Sequence, residues 1–175
     1  MEHRTTDELT AALDEIRRSP ADGGTVAQIV RRPEEGEREV LEEGLLDLEQ
    51  GLVGDRWSRP AAPNPETQLT LMNVRAADAI AGGPERRPLA GDQLFVDLDL
   101  SIENLPAGTR LAVGDAVVEV TPEPHTGCAK FSARFGTDAL RFVNKPPGRE
   151  LRLRGVNTRV VTPGAVRAGD TISKL

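Results

Sequence analysis

One cysteine, two histidines and no tyrosine in 175 residues leave few side chains for chemistry. The single cysteine, Cys128, excludes an internal disulfide and any cysteine-rich zinc site. It also fits a reducing compartment. Aromatics make up 3% of the chain and Trp57 is the lone tryptophan, so platforms for stacking nucleobases are scarce. Excess positive charge is missing as well. A formal charge of −6 argues against general nucleic-acid binding, while a local basic patch could still serve one small anion. No apolar run approaches the ~20 residues of a membrane helix. The start, MEHRTTDELTAAL, lacks the basic region and apolar run of a signal peptide. A cytoplasmic location with no membrane partner is therefore expected. There is no G-x-S-x-G elbow, no H-E-x-x-H and no Walker loop, so a hydrolase of a familiar type finds little support.

What is there suits one soluble globular domain, with 38% apolar and 29% charged residues. Residues 5–18 read as an amphipathic helix: Thr5 and Glu8 have capping-box spacing, and Leu9, Ala12, Leu13 and Ile16 share a face. This predicts an N-terminal helical extension over 1–23, followed by a single domain over 24–175. Strands are expected at Thr25–Arg31, Gln68–Asn73, Leu94–Leu100, Leu151–Leu153 and Val156–Val161, with two apolar runs between Leu111 and Val120. The alternation in Leu94–Leu100 predicts a half-buried strand. Val74–Ala81 and Ala139–Val143 read as helices, and Val40–Leu52 fits either element. Gly-Asp recurs at 54–55, 91–92, 114–115 and 169–170. Both residues tolerate left-handed backbone, so these pairs mark turns. Many short strands punctuated this way predict a small mixed-topology barrel or sandwich.

The chemistry concentrates in Val120–Gly136, which holds Cys128 and His125. A helix is expected to start after Cys128, and Gly127 would relax the backbone beside the sulfur. Lys130 and Arg134 would then share a helix face. Cations there favour thiolate over thiol and attract anions. His125 could lower the thiol's pKa as an imidazolium or shuttle a proton, or simply cap a turn. Near Trp57, Arg56 could hold a phosphate or carboxylate, or pair with Asp55 at the turn.

The order Gly54-Asp-Arg-Trp57, Gln68-Leu-Thr-Leu71, Leu111 to Thr121, Cys128 in HTGCAKF, Arg152-Leu-Arg-Gly155 and Pro163 to Asp170 resembles the MOSC domain family. That family is named after the C-terminal domain of molybdenum cofactor sulfurase. The resemblance spans about residues 24–173, and it rests on six short motifs in the right order. It implies a mainly β fold: a closed β-barrel with a few peripheral α-helices. It implies a functional cysteine at Cys128, acting as catalytic residue or metal ligand, and the molybdenum cofactor as ligand. His125 joins Cys128 as a catalytic candidate. Arg56, Lys130, Arg134, Arg154 and Arg159, together with Arg152, are the candidate cations for the cofactor. Many members carry an Arg-Glu-Asn type motif where this chain reads Gly91-Asp-Gln-Leu94, so an arginine is absent there.

Two chemistries suit one thiolate beside cations. Cys128 could ligate molybdenum, as implied for members that resemble reductases of N-hydroxylated compounds. Alternatively it could accept a sulfane sulfur and carry it as a persulfide, a sulfurtransferase role. With no aminotransferase-like desulfurase domain in the chain, no pyridoxal phosphate is expected. The partner would be a sulfur donor such as a cysteine desulfurase, or an electron-transfer protein. The other class of reading is a non-catalytic module that binds a small anionic ligand or a protein, with Cys128 inert.

Overall fold

A computed structural model describes residues 2–175. The helices are α1 (Thr6–Ala11), α2 (Leu13–Arg17), α3 (Val74–Ala81), α4 (Ala129–Phe135) and α5 (Thr137–Asn144). The strands are β1 (Gly24–Arg31), β2 (Glu39–Leu41), β3 (Glu43–Asp47), β4 (Gly51–Leu52), β5 (Leu69–Asn73), β6 (Leu94–Asp97), β7 (Arg110–Val113), β8 (Ala116–Val120), β9 (Val156–Thr162), β10 (Gly164–Arg167) and β11 (Thr171–Lys174). Among the described residues, no helix is long and apolar enough to cross a membrane.

Seven strands run β11-β7-β8-β9-β5-β6-β1, and the sheet closes on itself where β1 meets β11 through Gly24 opposite Ile172 and Thr25 opposite Thr171. Closure removes the unpaired edges that an open sheet would expose. Every pairing in the ring is antiparallel except β5 with β6, and α3 supplies the crossover that a parallel pair requires. β2 flanks β1, and β10-β3-β4 form a small second sheet. The stretch Val40–Leu52, which could have been helix, is thus three short strands.

Two apolar clusters result. One fills the barrel and includes Val26, Leu71, Leu94, Val96, Leu111, Val118 and Ile172. The other lies between the barrel's outer face and the helices, and includes Leu9, Ile16, Met72, Ile80, Phe95, Phe131 and Phe135. This second layer corrects the expectation of a half-buried strand. In β6, Leu94 and Val96 face the barrel cluster while Phe95 faces the helices, so all three are fully buried. The strand also stops at Asp97, well short of Leu100.

The N-terminal helix is two short helices meeting at Ala12, whose amide bonds tightly to the carbonyl of Leu9 at 3.1 Å. The capping box forms as its spacing requires: the Glu8 amide donates to Thr5 Oγ1 and the Thr5 amide donates to Glu8 Oε2. All four Gly-Asp pairs sit at turns, with φ of +87°, +90°, +56° and +95° at Gly54, Gly91, Gly114 and Gly169. Leu151–Leu153 is turn and not strand, because Arg152 adopts φ +50° and breaks the extended path.

Phe95 joins the barrel to the helical layer that carries the candidate site. Phe95→Ala should cost about 3–5 kcal/mol of folding stability, read as a lowered urea midpoint with little change in slope.

Candidate functional site

The short 3-10 turn Arg87–Ala90 and Gly91 present four successive carbonyls to four arginines from three parts of the chain. Arg38 Nε donates to Pro88 O at 2.9 Å, and Arg134 Nη1 donates to Leu89 O at 3.0 Å. Arg154 Nη2 donates to Ala90 O at 3.0 Å, and Arg32 Nη1 donates to Gly91 O at 2.9 Å. Carbonyls at the end of a helical turn carry partial negative charge and so suit cations, and Pro88 O accepts the Gly91 amide at 3.2 Å as well.

Two of these arginines are neutralised by buried carboxylates. Arg32 grips Asp55 with Nε at 3.0 Å and Nη2 at 2.7 Å. Arg154 Nη1 donates to Asp92 Oδ2 at 2.6 Å. Asp55 also takes Gln93 Nε2 at 3.3 Å, while Gln93 Oε1 accepts from the Thr70 amide and hydroxyl. Burial pushes both carboxyls up, but the paired cations outweigh it and hold Asp55 and Asp92 below the ordinary carboxylate range. Arg38 and Arg134 have no carboxylate partner among the described residues. Burial, then Arg134, Arg32 and Arg56, lower the Arg38 pKa, which places those three guanidinium groups within electrostatic reach of Arg38. A protein of net charge −6 therefore concentrates positive charge here.

Cys128 is exposed and occupies the N-cap of α4, where the expected helix begins. The backbone amides of Phe131 and Lys130 stabilise its thiolate, against burial, and Arg154 and Arg134 add to the effect. Its pKa thus lies below that of an ordinary thiol. The backbone at Gly127 does not need the left-handed region. Glycine is favoured there by crowding: a Cβ would lie 2.8 Å from Leu140 Cδ1 and 3.0 Å from Val143 Cγ2, both on α5, and these side chains would have to shift. Asn144, also on α5, accepts the Gly127 amide at 2.8 Å and donates to its carbonyl at 3.0 Å. Helix α5 therefore fixes the residue before the sulfur.

His125 hydrogen-bonds Asp92 Oδ1 through Nε2 at 3.0 Å. Burial and Arg154 lower its pKa, and the Asp92 carboxylate only partly offsets them. The ring is neutral at pH 7, so His125 does not act on Cys128 as an imidazolium. Because the ionised Asp92 can only accept, Nε2 carries the proton and Nδ1 is left as an acceptor. Arg154 also stacks over Phe131 at 5.0 Å, and its Nε is buried without a partner.

The fold gathers Cys128, Arg134 and Arg154 about one centre, with Arg56 close enough to act on Arg38. Arg56 makes no ion pair with Asp55, whose partner is Arg32. Lys130 pairs with exposed Glu35 at 2.7 Å, a carboxylate that also lies within electrostatic reach of Arg56 and Arg134. Arg159 stands apart on an exposed strand position, paired with Glu119, which also takes Arg110. Sequence reasoning missed Arg32, Arg38 and Asn144, which no motif marks. Asp92 was visible only as part of a turn, and it takes the buried role in a segment that lacks the expected arginine.

Alkylation of Cys128 by iodoacetamide should follow an apparent pKa below the ~8.5 of a free thiol, and a profile centred at or above that value would contradict the geometry. Folding stability should fall as pH drops below about 6.5. The unfolded chain protonates its histidine there while the folded state keeps His125 neutral. His125→Gln should flatten that slope in pH-dependent thermal melts.

The MOSC domain family profile matches residues 66–173. No curated protein sequence gives a significant match. Among solved structures, the YuaD protein of Bacillus subtilis superposes with a TM-score of 0.65 at 15% identity, covering 85% of this chain and 93% of that one. YiiM from Escherichia coli gives a TM-score of 0.58 at 21% identity, over 86% and 69% of the two chains. YiiM from Geobacillus stearothermophilus gives 0.60 at 14% identity, over 87% and 75%. At these identities the structures establish the fold alone. The family profile covers more than half of the chain, including β5, the arginine-bearing turn and the cysteine, so the protein belongs to the MOSC domain family.

Proposed function

We propose that the protein binds the molybdenum cofactor, a pterin dithiolene with a phosphate, through Cys128 and the arginines around Gly91. The observation that carries this reading is the pair of guanidinium groups, Arg38 and Arg134, left without carboxylates beside an exposed thiol of lowered pKa. An anion there would receive charge-assisted hydrogen bonds.

The donor set fits this group. Among the described residues no three His, Cys, Asp or Glu side chains cluster to hold a metal ion. A metal arriving with its own dithiolene needs only one more soft ligand, and the Cys128 thiolate is one. Arg38, Arg134 and Arg56 would take the phosphate, and the buried, unpartnered Nε of Arg154 is a further donor. When bound, molybdenum supplies redox chemistry, with reduction of N-hydroxylated compounds as the reaction the family resemblance implies. The chain's own residues bind and orient. Asn144 fixes the Gly127–Cys128 link, Asp92 orients His125, and His125 Nδ1 can take a proton. An electron-transfer protein would be the partner.

A second reading draws on the exposure of Cys128. The thiolate attacks the outer sulfur of a donor persulfide, a new S–S bond forms, and the donor leaves as its own thiolate. A cysteine desulfurase would then be the donor.

Expression in a host that makes the cofactor, followed by elemental analysis for molybdenum and a pterin assay, tests both readings. Wild type should carry metal and pterin together, and Cys128→Ser should lose the metal while melting normally. The Arg38→Gln, Arg134→Gln double variant should lose pterin. Full loading of the Cys128→Ser protein would refute the ligand role. Cyanide-labile sulfur on Cys128 without molybdenum would favour the sulfur carrier.

A further inference from the structure

His125 and Arg154 also border a hollow of about 640 Å³ whose lining does not include Cys128. Small-molecule sites usually measure about 300–1,000 Å³, with mostly apolar walls and a few convergent polar groups. The larger apolar side chains of the lining are Ile102, Pro106, Pro122, Pro124, Val143 and Val156, and polar and charged side chains make up most of the remainder. Ile102 is 49% exposed, a large apolar side chain left open at the lining.

The polar group that stands out is Arg152. It is the single non-glycine residue with positive φ among the described residues, at +50°. A side chain held in left-handed backbone carries strain, which concentrates at functional sites. Its Nη1 donates to the carbonyls of Leu100 and Leu105, which fixes the guanidinium against the barrel rim. The Nε and Nη2 edge has no hydrogen-bond partner, and no carboxylate pairs with Arg152 among the described residues. Arg149 lines the same hollow, likewise without an ion pair, and Glu123 is the acidic side chain set against them. A half-buried guanidinium with a free side edge matches a carboxylate, whose two oxygens accept two parallel hydrogen bonds.

We propose that this hollow binds a small organic carboxylate with an apolar body. The carboxylate sits on the Nε–Nη2 edge of Arg152 and the body lies against Ile102, Val143 and Val156. Neither contact requires a metal, so the proposal stands apart from the cofactor reading.

Titration of the metal-free protein with 4-phenylbutanoate and with the neutral 4-phenylbutanamide, followed by calorimetry, tests it. The acid should bind saturably at millimolar concentrations or below, and the amide about tenfold or more weakly, the loss expected for a charge-assisted pair. Arg152→Gln should bring the acid down to the amide's affinity. Ala107→Trp, at an exposed lining position, should block both ligands without altering the melt, so the proposal stays open to refutation if the Arg152 variant misfolds. Cys128→Ser should bind the acid as wild type does. Equal binding of acid and amide, no saturable binding of the acid, or unchanged binding in folded Arg152→Gln or Ala107→Trp protein would each overturn the proposal.

Discussion

Four arginines hydrogen-bonded to four consecutive main-chain carbonyls, Pro88 to Gly91, hold the site together. Guanidinium groups repel one another, and partial burial strengthens the repulsion by removing water. The turn counters this with the concentrated partial charge of its carbonyls, and the buried Asp55 and Asp92 cancel two of the four charges. What remains is a surplus of positive charge at Arg38 and Arg134, kept from collapsing onto carboxylates by the main chain itself. Such a surplus costs stability unless an anion completes it, which is the physical basis for proposing a phosphate-bearing ligand here.

The barrel makes this arrangement possible by bringing distant segments to one face. Arg32 and Arg38 follow β1, the carbonyl turn precedes β6, Arg134 rides on α4 and Arg154 precedes β9. The ring order places β1, β6, β5 and β9 side by side, so residues more than a hundred apart in sequence meet around Gly91. The helical layer contributes the sulfur. Because α5 packs against Gly127 and grips it through Asn144, the position of Cys128 depends on the packing of Phe131, Phe135 and Val143 as well as on its own loop.

A barrel or sandwich of short strands was legible because Gly-Asp turns and short alternating runs punctuate the chain, and each of those four glycines has positive φ; the choice of a closed barrel came from the family resemblance. The helix after Cys128 was legible as a local pattern too. The failures have a common cause in layering. Phe95 reads as the solvent side of a strand until the helices cover it, and Leu151–Leu153 reads as a strand until the backbone at Arg152 turns left-handed. Of the roles left open for His125, the imidazolium is disfavoured, because burial next to Arg154 lowers its pKa. Partners such as Asp55 with Arg32 are set by strand order, which local spacing does not encode.

The anchors at positions 88 to 91 are backbone oxygens, which every amino acid supplies. Relatives could therefore rewrite the side chains of that turn and preserve its grip, provided the chain still bends the same way. Anyone wishing to retune the site's charge should edit the arginines, since altering the residues that seat them would change shape before it changed electrostatics.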